Sequence, residues 1–223
     1  MKEEAKAARN SLQQGIYKII NPFVRLLIRC HVTPNMVTTV GFLGNLAAAV
    51  LIVVMSYDMA AGIRYSFLTI AGALIIGFSL FDMLDGQVAR LGNMSSTFGA
   101  MYDSVLDRYS ELCTLGAIAY YFLRIGSQWG AIATFLALIG SIMVSYIRAR
   151  AEGLGVECKM GFMQRPERVV VTSLAVLATG IAGQASGSYS VNIILLVAMS
   201  VIAVFANITA LARLSHTARQ LKS

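Results

Sequence analysis

The chain has 223 residues, of which 57% are hydrophobic and only 13% charged, with a formal net charge of +7. A soluble domain carries about a quarter charged residues, so this composition excludes a water-soluble globule and points to a chain immersed in lipid. The apolar residues come in runs of about 20, the length that crosses a hydrocarbon core at about 1.5 Å per residue.

The fold class expected is all-α, a polytopic membrane protein with six transmembrane helices preceded by an N-terminal interfacial amphipathic helix. Met1–Asn21 mixes charge with polarity and is not read as a cleaved signal. Ile16, Ile19, Ile20, Phe23, Leu26 and Leu27 recur at helical spacing, with Lys18, Arg25 and Arg29 on another face. That pattern suits a helix lying in the membrane interface, bent near Asn21–Pro22. Thr33-Pro34 reads as a cap and a first-turn proline that start the first span. Spans are expected over 36–56, 62–90, 97–123, 128–151, 167–184 and 190–212. One domain, 1–223, accounts for the whole, with 1–33 interfacial and 34–223 the bundle.

With six spans, both termini and the 2–3 and 4–5 loops share one side. Of 18 lysines and arginines, only Arg64 and Arg124 fall on the other side, and Arg108 lies within a span. This positive-inside pattern predicts cytoplasmic termini in a cell (inner) membrane. It also accounts for the basic charge through anionic lipid and phosphate ligands rather than nucleic acid. Cys30, Cys113 and Cys158 are scattered and show neither disulfide nor zinc spacing.

Span 2 carries Asp82 and Asp85, and span 3 carries Asp103 and Asp107. Carboxylates at mid-membrane cost about 2.5–3.5 kcal/mol each on insertion scales. Four together cost on the order of a domain's net stability. Their spacings, three and four, put each pair on one helix face. A hairpin folded in Gly92–Thr97 brings all four level with one another. Four mutually repelling anions call for cations, and hard oxygen ligands select magnesium, manganese or calcium. Gly86 and Gly99 flank the acids in helices, where glycine costs about 1 kcal/mol against alanine. They suit the approach of a nucleotide or phosphate to the backbone. Arg90 suits a diphosphate.

Phe81–Asp107 reads FDMLDGQVARLGNMSSTFGAMYDSVLD. It resembles the signature of the CDP-alcohol phosphotransferase family: Asp82, Asp85, Gly86, Ala89, Arg90, Gly99, Asp103 and Asp107 match every fixed position at every spacing. The resemblance implies an enzyme of phospholipid biosynthesis. An acceptor hydroxyl attacks the phosphorus next to the lipid of a CDP-linked lipid such as CDP-diacylglycerol, and CMP leaves. It implies two divalent ions, magnesium or manganese, held chiefly by Asp82, Asp85 and Asp103, with Asp107 a shared ligand and the general base. It also implies that Asn35, Thr38, Asp82, Gly86, Arg90, Ser95, Ser96 and Gly99 surround the CDP-lipid, and that the protein is a homodimer.

In span 4, Ser141, Ser145, Arg148 and Glu152 form one polar stripe, and Arg165-Pro166-Glu167-Arg168 opens span 5. Ser145, Arg148, Arg150, Arg165 and Arg168 are thus candidates for a clamp on a phosphorylated acceptor. The stretch Ser145–Arg168 resembles the phosphatidylinositol phosphate synthases of the same family, with Arg148 where a lysine is expected. That resemblance favours inositol phosphate, giving phosphatidylinositol phosphate. Glycerol 3-phosphate is the alternative acceptor, and archaeal isoprenoid chains are an alternative to acyl chains. A metal or phosphate transporter is the alternative of another class, but inverted repeats and broken mid-membrane helices are not seen.

Overall fold

The computed structural model describes residues 20–55, 57–58 and 62–222, without the side chains of residues 55, 57, 58 and 82. Of the expected interfacial helix, Ile16, Lys18 and Ile19 lie outside the described residues. Its remainder is α1, over 20–29. There follow α2 (Pro34–Val50), a π turn (Leu51–Met55) and two short strands, β1 (Tyr57–Asp58) and β2 (Gly62–Ile63). The strands pair antiparallel. Next come α3 (Tyr65–Ser79), α4 (Phe81–Leu91), α5 (Thr97–Arg124), α6 (Gln128–Glu152), α7 (Arg165–Ser186) and α8 (Asn192–Gln220), the last preceded by a 3-10 turn at Tyr189–Val191.

Five helical stretches among the described residues are long and apolar enough to cross a membrane: Pro34–Val54, Tyr65–Leu91, Gln128–Glu152, Arg165–Ser186 and Tyr189–Gln220. The protein is an integral, multi-pass membrane protein. The third expected span, α5, is not among the five. Its 28 residues are long enough, but Asp103, Asp107, Arg108 and Glu111 crowd its first half. The surface supports immersion in lipid. On α8, Ile193, Val197, Val204, Ile208 and Leu211 are exposed, whereas Asn192, Thr209 and Arg213 of the same helix are buried. Polar groups inside and apolar groups outside suit a solvent that offers no hydrogen bonds.

The chain divides into two compact units: the chain up to Phe42 with Phe78–Asp107, and Leu43–Gly77 with Arg108–Ser223. The first has a small apolar core of Val24, Val37, Leu84 and Val88, with Phe81 and Met94 against it. Two of its turns use one device. His31 after α1 and Asn93 after α4 adopt left-handed φ values of 58° and 52°. The N–H three residues beyond each helix then returns to a carbonyl of the last turn, Val32 to Leu27 at 3.0 Å and Met94 to Ala89 at 2.9 Å. This is the Schellman closure, in which asparagine is tolerated at the left-handed position. Thr33 caps α2 by accepting from the Met36 N–H at 3.4 Å, and Pro34 is its first residue.

The second unit holds the larger core, with Leu68, Ile118, Phe122, Val176, Leu195, Met199 and Ile202 in its centre. Helices α3 and α7 approach closely because of their glycines. A Cβ on Gly72 would lie 2.5 Å from the Leu177 nitrogen, and one on Gly180 would collide with Thr69. Small residues at such crossings are the membrane counterpart of an interlocking core.

Candidate active site

In the first unit, Pro34, Asn35 and Thr38 of α2, Asp85, Gly86, Ala89 and Arg90 of α4, the turn Met94–Ser96, and Gly99, Ala100 and Asp103 of α5 line one cavity of about 240 Å³. Helical spacing puts these residues on its wall: 85 and 89 on α4, and 99 and 103 on α5, are four apart. The Gly92–Ser96 turn joins the two helices. Gly92 donates its N–H to Val88 O at 2.9 Å, and Ser96 Oγ accepts from the Gly99 N–H at 2.9 Å, capping α5.

Asp85 is buried, and Thr38 Oγ1 lies 2.7 Å from its Oδ2. The same hydroxyl is 3.1 Å from Pro34 O. It has one proton, so the shorter, charge-assisted contact to the carboxylate dominates. Thr39, one residue on, gives its proton to Asn35 O at 2.7 Å and accepts from Tyr102 OH at 2.9 Å. These two threonines fasten the start of α2 to α4 and α5.

The glycines differ in what they leave open. A Cβ on Gly99 would come within 3.0 Å of Ser96 Oγ and 3.3 Å of Asn35 Oδ1, so the cap and the asparagine would have to shift to admit one. A Cβ on Gly86 would meet only the end of the Arg90 side chain, at 3.5 Å. Gly86 therefore keeps space in the cavity open rather than relieving a clash.

The cavity brings together Asn35, Thr38, Asp85, Gly86, Arg90, Ser95, Ser96, Gly99 and Asp103 of the residues expected from sequence. Asp82 lies on the same helix, α4, and its side chain is outside the described residues. Asp107 is half-buried one turn further along α5 and does not line the cavity. Among the described residues no three acids, histidines or cysteines form a metal-binding group. The donor set nevertheless fits a hard divalent ion, because Asp85 and Asp103 both line this space and the Thr38 hydroxyl orients the Asp85 carboxylate.

The residues expected to hold the acceptor belong to the second unit. Ser145 lines another cavity, of about 360 Å³, with Arg108, Glu111 and Ser141 among its walls. Arg148 donates Nε to Glu152 at 2.9 Å, an i,i+4 pair on the surface of α6. Arg150 is exposed, and Arg165 is the first residue of α7. Arg168 differs from these. Only 1% exposed, it makes a two-pronged pair with Glu111 at 2.6 and 2.9 Å and donates Nη1 to Met163 O at 3.0 Å. All three guanidinium nitrogens are engaged within the protein. Sequence reasoning missed Glu111, although it follows Asp103 and Asp107 at the same four-residue interval.

The CDP-alcohol phosphatidyltransferase family model matches residues 31–212. The chain belongs to that family. It is an enzyme of phospholipid biosynthesis, and the transporter alternative is set aside. The chain is 35% identical over 170 residues to phosphatidylinositol phosphate synthase of Cutibacterium acnes, covering 75% of this chain and 77% of that protein. It is 32% identical over 206 residues to the synthase of Mycobacteroides abscessus, covering 91% and 84%. The crystal structure of Mycobacterium tuberculosis phosphatidylinositol phosphate synthase with CDP-DAG bound is similar at a TM-score of 0.74 and 30% identity, covering 90% of this chain and 94% of that one. The same enzyme in complex with manganese and citrate is similar at a TM-score of 0.73 and 29% identity, covering 88% and 87%.

Proposed function

We propose that this phosphatidyltransferase moves a phosphatidyl group from CDP-diacylglycerol to a hydroxyl of inositol phosphate, giving phosphatidylinositol phosphate and CMP. The observation that carries the reading is the cavity of α2, α4 and α5, where Asp85, Asp103, Gly86, Gly99 and Arg90 of the family signature line one space. The similarity to synthases of that name and to a structure with CDP-DAG bound supports the choice of substrates.

In this reading Asn35, Thr38, Asp82, Ser95, Ser96 and the two glycines receive the nucleotide, and Arg90 meets the diphosphate. Asp82, Asp85, Asp103 and Asp107 would hold two divalent ions, magnesium or manganese; a relative's structure with manganese supports the metal class. When bound, such ions neutralise the diphosphate and the charge that develops on the attacked phosphoryl group. Asp107 takes the proton of the acceptor hydroxyl as general base. The hydroxyl oxygen bonds to the phosphorus next to the lipid. The bond from that phosphorus to the CMP oxygen breaks, and CMP leaves with the electron pair.

Arg148, Arg150 and Arg165, with Ser145, bind the phosphate of the acceptor. Arg168, engaged by Glu111 and Met163, supports the start of α7 on which Arg165 stands. We further propose that α5 is the sixth span and that 20–29 belongs to an interfacial helix, with Phe23 and Leu26 exposed towards lipid. The chain acts as one catalytic domain and as a homodimer in the cell membrane, with termini and site on the cytoplasmic side.

The test uses purified protein in lipid with CDP-diacylglycerol and magnesium, offered inositol phosphate, glycerol 3-phosphate or free inositol. CMP release and phosphatidylinositol phosphate formation are expected with inositol phosphate alone. Product from glycerol 3-phosphate and none from inositol phosphate would reassign the acceptor. EDTA should silence the enzyme, and magnesium or manganese should restore it.

A further inference from the structure

Thr209, Arg213 and Thr217 of α8 are spaced by four, on one helix face, and all three are buried. The loop between α6 and α7 runs along this face in the opposite direction. Cys158 Sγ lies 3.9 Å from Thr217 Oγ1, Met160 O accepts from Arg213 Nε at 2.8 Å, and the Met163 N–H donates to Thr209 Oγ1 at 3.4 Å. At Gly161, whose φ of 124° favours glycine, a Cβ would strike the Thr209 methyl. Phe162 reaches further along α8. Its ring centroid is 6.0 Å from that of Phe205, one turn before Thr209. From Thr217 to Phe205 the loop follows the helix for about three turns.

The apolar run of α8 says how deep this is. No charged residue occurs over 191–212, and Arg213 is the first. Val197, Val204, Ile208 and Leu211 of that run are exposed on a helix long and apolar enough to cross a membrane. At about 1.5 Å per residue, Phe205 lies about 12 Å inside the apolar run from Arg213. About 20 apolar residues fill a hydrocarbon core, so Phe205 stands within it.

Irregular backbone at such a depth has no water to bond with and persists only where protein groups satisfy it. The loop meets that condition with side chains. Arg213 takes Met160 O and Thr209 takes the Met163 N–H. Arg168 Nη1 donates to Met163 O at 3.0 Å, and Gln164 Nε2 donates to Gly161 O at 3.3 Å. Arg213 Nη1 also donates to Val144 O of α6 at 2.7 Å, tying the loop to the helix it leaves. The loop's own side chains sort by polarity of surroundings. Cys158 and Met163 are buried, whereas Met160 is 42% exposed and Phe162 77%. No charged residue stands between Lys159 and Arg165.

We propose that the α6–α7 loop is a re-entrant segment, which enters the membrane beside the C-terminal half of α8 and places Phe162 among the acyl chains of the surrounding lipid. The surface that receives those chains is continuous with the exposed apolar face of α8, to which Phe205 belongs. The inference needs α8 to span the membrane and is independent of the acceptor.

Trp129 is the sole tryptophan, so Trp129→Phe gives a background in which one introduced tryptophan reports its own surroundings. The full-length protein carrying Phe162→Trp is reconstituted in phosphatidylcholine vesicles, with or without bromine on the acyl chains, and with iodide on both sides. Bromolipid should remove most of the fluorescence and iodide almost none, as for Val204→Trp on the lipid face of α8. Met160→Trp should be quenched most by bromine placed near the headgroup end of the chain. Glu157→Trp, at the exposed start of the loop, should show the reverse preference and respond to iodide. Fluorescence of Phe162→Trp lost to iodide and spared by bromolipid would overturn the proposal, placing the loop in water. Fluorescence that neither quencher reaches would overturn it too, assigning Phe162 to a contact with a second copy of the chain. Should Phe162→Trp fail to fold, Met160→Trp decides by the same comparison.

Discussion

In the first unit, residues that the signature spaces at fixed intervals line a common space. Asp85 and Asp103 face it, Gly86 leaves room in it, and Thr38 orients a carboxylate beside it. In the second unit, two buried arginines are committed to protein partners. Arg168 grips Glu111 and Arg213 spans two carbonyls, whereas the Arg148–Glu152 pair stays partly exposed. A set of fixed spacings with mixed chemistry therefore specifies a site more narrowly than a cluster of like charges does. Burial and partners set Arg168 and Arg213 apart from the more exposed Arg148 and Arg150.

The contrast can be broken from either side. Asp85→Asn, Asp103→Asn and Asp107→Asn should show the largest effects, each lowering kcat roughly 100- to 10,000-fold without unfolding the protein. Asp107→Asn should still bind CDP-lipid, checked by equilibrium binding; an unchanged maximal rate with weakened lipid affinity would move Asp107 from chemistry to binding. Next comes Arg168→Ala. It strands the buried Glu111 carboxylate and should cost about 3–5 kcal/mol of stability, read as a fall in Tm in detergent. Arg165→Ala should leave Tm nearly unchanged and weaken acceptor use on the order of 10- to 150-fold in KM. Equal behaviour of the two arginine variants would erase the division drawn here. The smallest effect should belong to Gly86→Ala. Its methyl meets only the flexible end of Arg90, so the fold should hold while the CDP-diacylglycerol KM rises about several-fold.

Much of the first unit was legible in the sequence, because its information is local. Spacings of three and four define helix faces, and GNMSST in Gly92–Thr97 carries the asparagine and the serine that close α4 and cap α5. Five of the expected spans have matching long apolar helices. The span expected over 97–123 carries a charged first half, so α5 is less apolar than the other five. The fates of Arg168 and Arg213 were not legible. Glu111 is 57 residues from Arg168, and Met160 is 53 from Arg213. No local pattern encodes pairings at that distance. The α8 stripe of Thr209, Arg213 and Thr217 was visible as spacing, but what it grips depends on where the preceding loop returns.

The central claim is that the aspartate-lined cavity carries out phosphatidyl transfer, and it is tested most directly by counting products. With CDP-diacylglycerol, inositol phosphate and magnesium, the wild type and Asp85→Asn are compared for CMP released and phosphatidylinositol phosphate formed. The account predicts one CMP per lipid product in the wild type, no release when the acceptor is omitted, and almost none of either from the variant. Asp85→Asn forming both products at the wild-type rate would contradict it.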